Sequence, residues 1–270
     1  MEFVGLSAGI VEIGDQEMTD TSTATEAGEI TGQMFLYEKP ELLNNDKHGS
    51  MGFTAVDKPY EFVGKVKAVP LTMVEFGSAQ RNFPIIFSNM EDPVPLAVHG
   101  IIDEENLFVD EDGKWDEMSY IPMYVRCHPF TFAGDGGERL AVVVDTAAAS
   151  VSSDPQYPFF VDGEISTHTK KLMEACAKFE GERKRTKEFC NKLKALNLLK
   201  PLSVTHTPEG ASEPQPLANY IGIDVEKLNS LTADVVYELH TNGFLSATYL
   251  QLYSLENWRH LMARRIAKIS

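Results

Sequence analysis

Cysteine, long apolar runs and positive charge are what this chain has least of. Its three cysteines, Cys127, Cys176 and Cys190, are scattered and include no Cys-x-x-Cys pair. On one helix Cys176 and Cys190 lie about 21 Å apart, at about 1.5 Å of rise per residue, too far for a disulfide. Without a disulfide framework, a reducing cytoplasm is the expected compartment. No apolar run approaches the roughly 18 residues of a spanning helix. The N-terminal stretch has no basic lead-in of the kind that opens a secretory signal. Lys and Arg number 24 against 40 Asp and Glu, a formal charge of −16. That balance repels phosphate, which argues against a nucleic-acid partner and anionic lipid and leaves protein as the expected partner.

Familiar chemical motifs are missing too. There is no Gly-x-x-x-x-Gly-Lys-Ser/Thr phosphate loop, no Gly-x-Gly-x-x-Gly fingerprint, no Gly-x-Ser-x-Gly elbow and no His-Glu-x-x-His. The glycine-rich "AGDGGE" (133–138) sits between two predicted strands and reads as a hairpin turn.

What is present is a core. Hydrophobic residues make up 43% and aromatics 10% of 270 residues, a globular composition. Residues 1–33 are polar and Thr-rich and read as a disordered tail; residues 34–270 read as one α+β domain. Thr72 and Glu75 form a capping-box pattern before a short helix that ends at Pro84. The runs 84–88, 94–102, 106–110, 130–134 and 139–147 are β-branched or aromatic and separated by turn residues, which predicts an antiparallel sheet. From 166 to 199, Leu172, Cys176, Phe179, Phe189, Leu193 and Leu196 recur at helical spacing, with a break expected near Gly181. The Pro-rich stretch 201–217 reads as a loop holding one strand. Helices then follow to the C-terminus, with Gly243 as a stop. Sheet first and helices concentrated later is an α+β order.

Two candidate sites emerge. The first is a small-ligand pocket of Trp115, Tyr120, Tyr124 and Phe130, with Arg126 facing an anionic group. The plainer reading, favoured because aromatics dominate cores, makes these rings structural. The second is an iron or zinc site drawn from His99, Asp103, Asp110 and His128, which would suit a metal- or 2-oxoacid-dependent oxygenase. Its plainer counterpart treats the two aspartates as turn formers. Cys127 and His128 point to opposite sides if extended, so a thiolate–imidazole couple is not expected. No cofactor is predicted under the leading reading.

Several stretches, taken in order, resemble the SapC family, named for a gene of a bacterial surface-array (S-layer) cluster. They are "FLYEKPELLNNDKHGSM", "AVPLTMVEF", "RNFPIIFS", "PVPLAVHGI", "NLFVDEDGKWDEMSYIPMYVRCHPF" and "GFLSATYLQLYSLENWRHLM". The pattern matches at Phe83, Pro84, Asn106 to Asp110, Gly113, Trp115, Tyr120, Pro122, Arg126, Pro129 and Phe130. Cys127 and His128 stand where the family usually has Arg and Tyr. The resemblance implies a context rather than a reaction: a soluble accessory or binding protein with a protein partner, serving surface-layer or TonB-dependent outer-membrane uptake systems.

Overall fold

The computed structural model describes residues 34–102, 104–134, 140–207 and 212–269, and before them 11–12, 23–24 and 30–31. Most of the expected tail, 1–33, therefore lies outside the described residues. Its described pieces are the short strands Val11–Glu12, Thr23–Ala24 and Ile30–Thr31. The fold is α+β, with antiparallel strands mostly in the N-terminal and middle regions and helices gathered toward the C-terminus. The chain forms two compact units, each drawn from separated segments.

The first unit comprises Met1–Gln16, Val66–Leu107 and Thr186–Ser270. Ala68–Pro70, Pro95–Val98 and Ile85–Phe87 are adjacent antiparallel strands, with Ile85 opposite Ala97 and Val69 opposite the same residue on the other side. Ile85, Ile86 and Phe87 are all completely buried, so this strand is covered on both faces. The helix Phe244–Ser254 reaches it with polar groups. Gln251 Nε2 donates to Ile85 O at 2.8 Å, and Ile85 N–H donates to Ser254 Oγ at 2.9 Å. Both backbone groups of a buried strand residue are thus satisfied by one helix, avoiding a cost of about 1–3 kcal/mol for each group left unpaired. The capping box forms: Thr72 N–H donates to Glu75 Oε2 at 2.7 Å and opens the turn Met73–Glu75 and the helix Phe76–Ala79.

The Pro-rich stretch differs from its reading as a loop with one strand. Leu199–His206 and Gln215–Ile223 form an antiparallel ribbon, whose second strand also joins Ile85–Phe87 antiparallel, with Ile221 opposite Phe87. Leu199–His206 has Gln215–Ile223 as its one strand neighbour among the described residues. An edge position tolerates Pro201, whose missing N–H costs nothing on the open side.

The helix predicted over 166–199 runs from Thr167 to Ala195 without a break. Its residues up to Arg185 count with the second unit and those from Thr186 with the first. A methyl group added at Gly181 meets nothing within 4 Å. Gly181→Ala is therefore expected to raise stability by about 0.5–1 kcal/mol, since glycine loses the most backbone freedom in a helix. Urea unfolding measures this, and a loss of stability would show that the position is crowded.

The second unit comprises Glu17–Lys65 and Phe108–Arg185. Phe130–Gly134 and Leu140–Asp145 pair antiparallel, and Pro40–Leu42 joins the free side of the latter. Gly52–Phe53 lies between Val151–Ser152 and Tyr157–Pro158. An alanine Cβ at Gly52 would stand 2.3 Å from Tyr157 O, so only glycine allows that approach. Tyr124, Phe130, Val143, Val144, Phe159 and Phe179 form the centre of this unit's core.

The run 106–110, read as a strand, contributes a single bridge, Val109 to Trp115. It is one arm of a tight hairpin, with Asp110 N–H on Lys114 O and Asp116 N–H on Phe108 O. The Asp110 carboxylate accepts from Lys114 N at 2.8 Å, and Gly113 takes φ of 64°. Turn chemistry outweighs the β propensity of Leu107, Phe108 and Val109 here.

Candidate functional site

The second unit contains a cavity of about 1050 Å³. Its aromatic walls are Tyr37, Phe53, Tyr60, Phe62 and Tyr157. Lys58, Lys65 and Arg126 bring positive charge to the lining, and Glu38, Glu61 and Asp145 bring negative charge.

Local structure explains how these groups arrive. Tyr60 N–H donates to Gly113 O at 2.9 Å, so the hairpin 108–116 holds the segment that carries Lys58, Tyr60 and Phe62. A side chain at Gly113 would be strained by its positive φ, and its Cβ would fall 2.6 Å from Lys58 Cβ. The short turn Glu61–Val63 then presents Phe62. Arg126 and His128 come from the helix Met123–Cys127 and the residue after it, where the His128–Pro129 peptide bond is cis. Asp145 ends the strand Leu140–Asp145, and His168 lies in the first turn of Thr167–Ala195.

His128 and Asp145 form the buried polar centre. Nε2 of His128 lies 3.6 Å from Asp145 Oδ2, with side-chain exposures of 7% and 2%. Phe62 stacks on the imidazole at 3.9 Å between centroids, and Tyr37 flanks it at 5.3 Å. The carboxylate also accepts the backbone N–H groups of Glu38 at 3.0 Å, Lys39 at 2.8 Å and Ala147 at 3.1 Å. Burial alone pushes the Asp145 carboxyl upward, but His128 and these N–H groups outweigh it and bring the pKa down to about 2. Asp145 is therefore ionised throughout the neutral range.

The cations differ in how they are engaged. Lys58 pairs with Glu61 at 3.7 Å and donates to Glu111 O at 3.1 Å. Arg126 donates from Nη2 to Tyr120 OH at 3.1 Å, with its guanidinium carbon 5.5 Å from that ring's centroid. Among the described residues, neither Arg126 nor Lys65 has a carboxylate partner.

The residues picked from sequence fall in two layers. Arg126 lines the cavity. The other four stand behind a lining residue: Trp115 against Tyr60, Tyr120 under Arg126, Tyr124 against Tyr37, and Phe130 against Phe53. The lining aromatics themselves carry no local sequence signal, because Tyr37, Phe53, Phe62 and Tyr157 lie on four separate stretches. Asp145 had one visible sign, a charge closing the apolar run "AVVVD".

For the metal set, Asp103 lies outside the described residues. His99 is in the first unit, whereas Asp110 and His128 are in the second. Asp110 caps the hairpin turn, and His128 faces Asp145. Among the described residues, no group of three or more His, Cys, Asp or Glu side chains is placed to hold a metal ion. Cys127 is 6% exposed and part of the second unit's core. Cys127 beside it, and then burial, push the Cys176 thiol upward, so Cys176 is not a ready nucleophile.

Among the described residues, no helix is long and apolar enough to cross a membrane. A family model described as SapC matches residues 43–261. Neither the curated proteins nor the solved structures compared contain a match. The match takes in the hairpin 108–116 and both Arg126 and His128, together with most of each unit, and on that coverage the chain belongs to the SapC family.

Proposed function

We propose that this chain is a binding protein that holds a small molecule in the second unit's cavity. It acts as an accessory to a surface-layer or TonB-dependent outer-membrane uptake system and works from the cytoplasmic side. The observation that supports the reading is the cavity itself: about 1050 Å³, walled by aromatic rings and carrying a few fixed polar groups. Binding pockets have this character, with volumes of roughly 300–1000 Å³. Purified chain is exposed to a cellular small-molecule extract, washed and denatured, and the released compounds are identified by mass spectrometry. A retained compound is expected, and it should be lost in Ala149→Trp, which places bulk at an exposed lining position. Retention that is unaffected by that substitution would overturn the cavity reading.

A protein partner is favoured by a separate observation. Tyr237, Tyr249 and Tyr253, on the helices Ala233–Thr241 and Phe244–Ser254, are 70%, 42% and 65% exposed. Exposed tyrosines are enriched at interfaces, where they give large contact area at low entropic cost. Changing all three to serine should abolish co-purification with a component of the surface-layer or uptake system. Unchanged co-purification would move the partner elsewhere.

A further inference from the structure

We infer that the cavity's ligand is a planar aromatic anion, with its acid group at Arg126 and Lys65 and its ring stacked on the cavity wall. The inference rests on the binding reading above and names the chemical class.

Charge supplies the first part. The chain carries a formal −16, so two cations without carboxylate partners on one cavity's lining stand out. Lys58 is matched by Glu61, and Asp145 is matched by His128 and three backbone N–H groups. Glu38 is the remaining acid on the lining, against two remaining cations. Arg126 is already steadied by Tyr120, which leaves most of its five donors for a ligand. A guanidinium held in place loses little freedom when it takes a carboxylate on two N–H groups.

Ring geometry supplies the second. Two stacked pairs line the cavity: Phe62 on His128 at 3.9 Å and 15°, and Tyr157 on His168 at 4.7 Å and 12°. Each pair is nearly parallel; Tyr37 flanks His128 and Phe53 meets His168 edge-on, so a planar ligand ring would extend the stack on the Phe62 or Tyr157 side. A saturated ring offers no matching face. An aliphatic acid therefore meets the charge requirement but not the stacking one, and a neutral arene meets only the stacking one.

Isothermal titration of the full chain with 2-naphthoate, 2-naphthamide, cyclohexanecarboxylate and inorganic phosphate separates these terms. Naphthoate is expected to bind at least tenfold tighter than each of the other three. Arg126→Gln and Lys65→Gln should each weaken naphthoate several-fold and leave naphthamide unchanged. Arg126→Lys should recover only part of the loss, because a point charge does not reproduce the fork. Both positions are exposed, so folding is expected to survive, and thermal unfolding of each variant checks it. Equal binding of naphthamide overturns the anion assignment. Equal binding of phosphate or the cyclohexane acid overturns the aromatic one. No binding by any probe overturns the class altogether. The binding reading itself is decided separately, by the retained compound and its loss in Ala149→Trp.

Discussion

Asp145→Ala is expected to lower the unfolding free energy by about 3–5 kcal/mol, the range for removing one partner from a buried charged network. The carboxylate gathers three segments at once. It accepts from Glu38 and Lys39 on one stretch and from Ala147 on its own, and it faces His128 on a third. With alanine, three backbone N–H groups and an imidazole lose an acceptor whose side chain is only 2% exposed. Asp145→Asn keeps the shape but loses the charge and turns one acceptor atom into a donor, so a smaller loss of about 1–3 kcal/mol is expected. Guanidinium unfolding followed by near-ultraviolet circular dichroism measures both. Two variants within about 1 kcal/mol of the parent would show that Asp145 is not the tie between these segments. Because Glu38, His128, Asp145 and Ala147 all line the cavity, Asp145→Ala should also abolish retention of the small molecule.

Acid is expected to weaken the first unit well before most carboxylates titrate, and His99 is the cause. The side chain is completely buried, against Phe83 at 4.6 Å, and burial pushes its pKa down from 6.5 to about 3. The folded state therefore holds the neutral imidazole, while the unfolded chain takes up a proton below pH 6.5. Between those values the unfolded state binds more protons, so stability is full above pH 6.5 and is lost as the pH falls toward 3. The slope approaches about 1.4 kcal/mol per pH unit once the unfolded imidazole is charged. From pH 7 to pH 4 the contribution is on the order of 3 kcal/mol. His99→Leu changes the stability at neutral pH by a fixed amount but removes this slope. The difference between the two stability profiles across pH 4–7 isolates the histidine from the many surface acids. A flat difference would mean that His99 is charged or solvated in the folded chain.

The strand and helix content was readable for specific physical reasons. The runs at 84–88, 94–102, 130–134 and 139–147 became strands because β-branched and aromatic residues lie between turn residues, a local signal. The Thr72–Glu75 box is local as well. Local signals mislead at two places. Residues 106–110 looked like a strand until the turn at Asp110 to Gly113 limited them to one bridge. The ribbon at 199–223 was hidden because prolines read as loop, and whether a proline is tolerated depends on which side of a strand is unpaired.

Sequence by itself determined that the chain is α+β, strongly acidic and SapC-like, since composition, periodicity and a long signature are properties of residues taken in order. It also singled out Arg126. Tertiary structure alone decided what Arg126 belongs to. Tyr37, Phe53, Phe62, His128, Asp145 and His168 are spread across the second unit's segments, and no spacing rule links them. The stretch "NLFVDEDGKWDEMSYIPMYVRCHPF" announces a family, but its rings mostly stand behind the cavity rather than in it. A cavity is made by which surfaces fail to meet after the core has closed, and that is settled only when distant segments have packed.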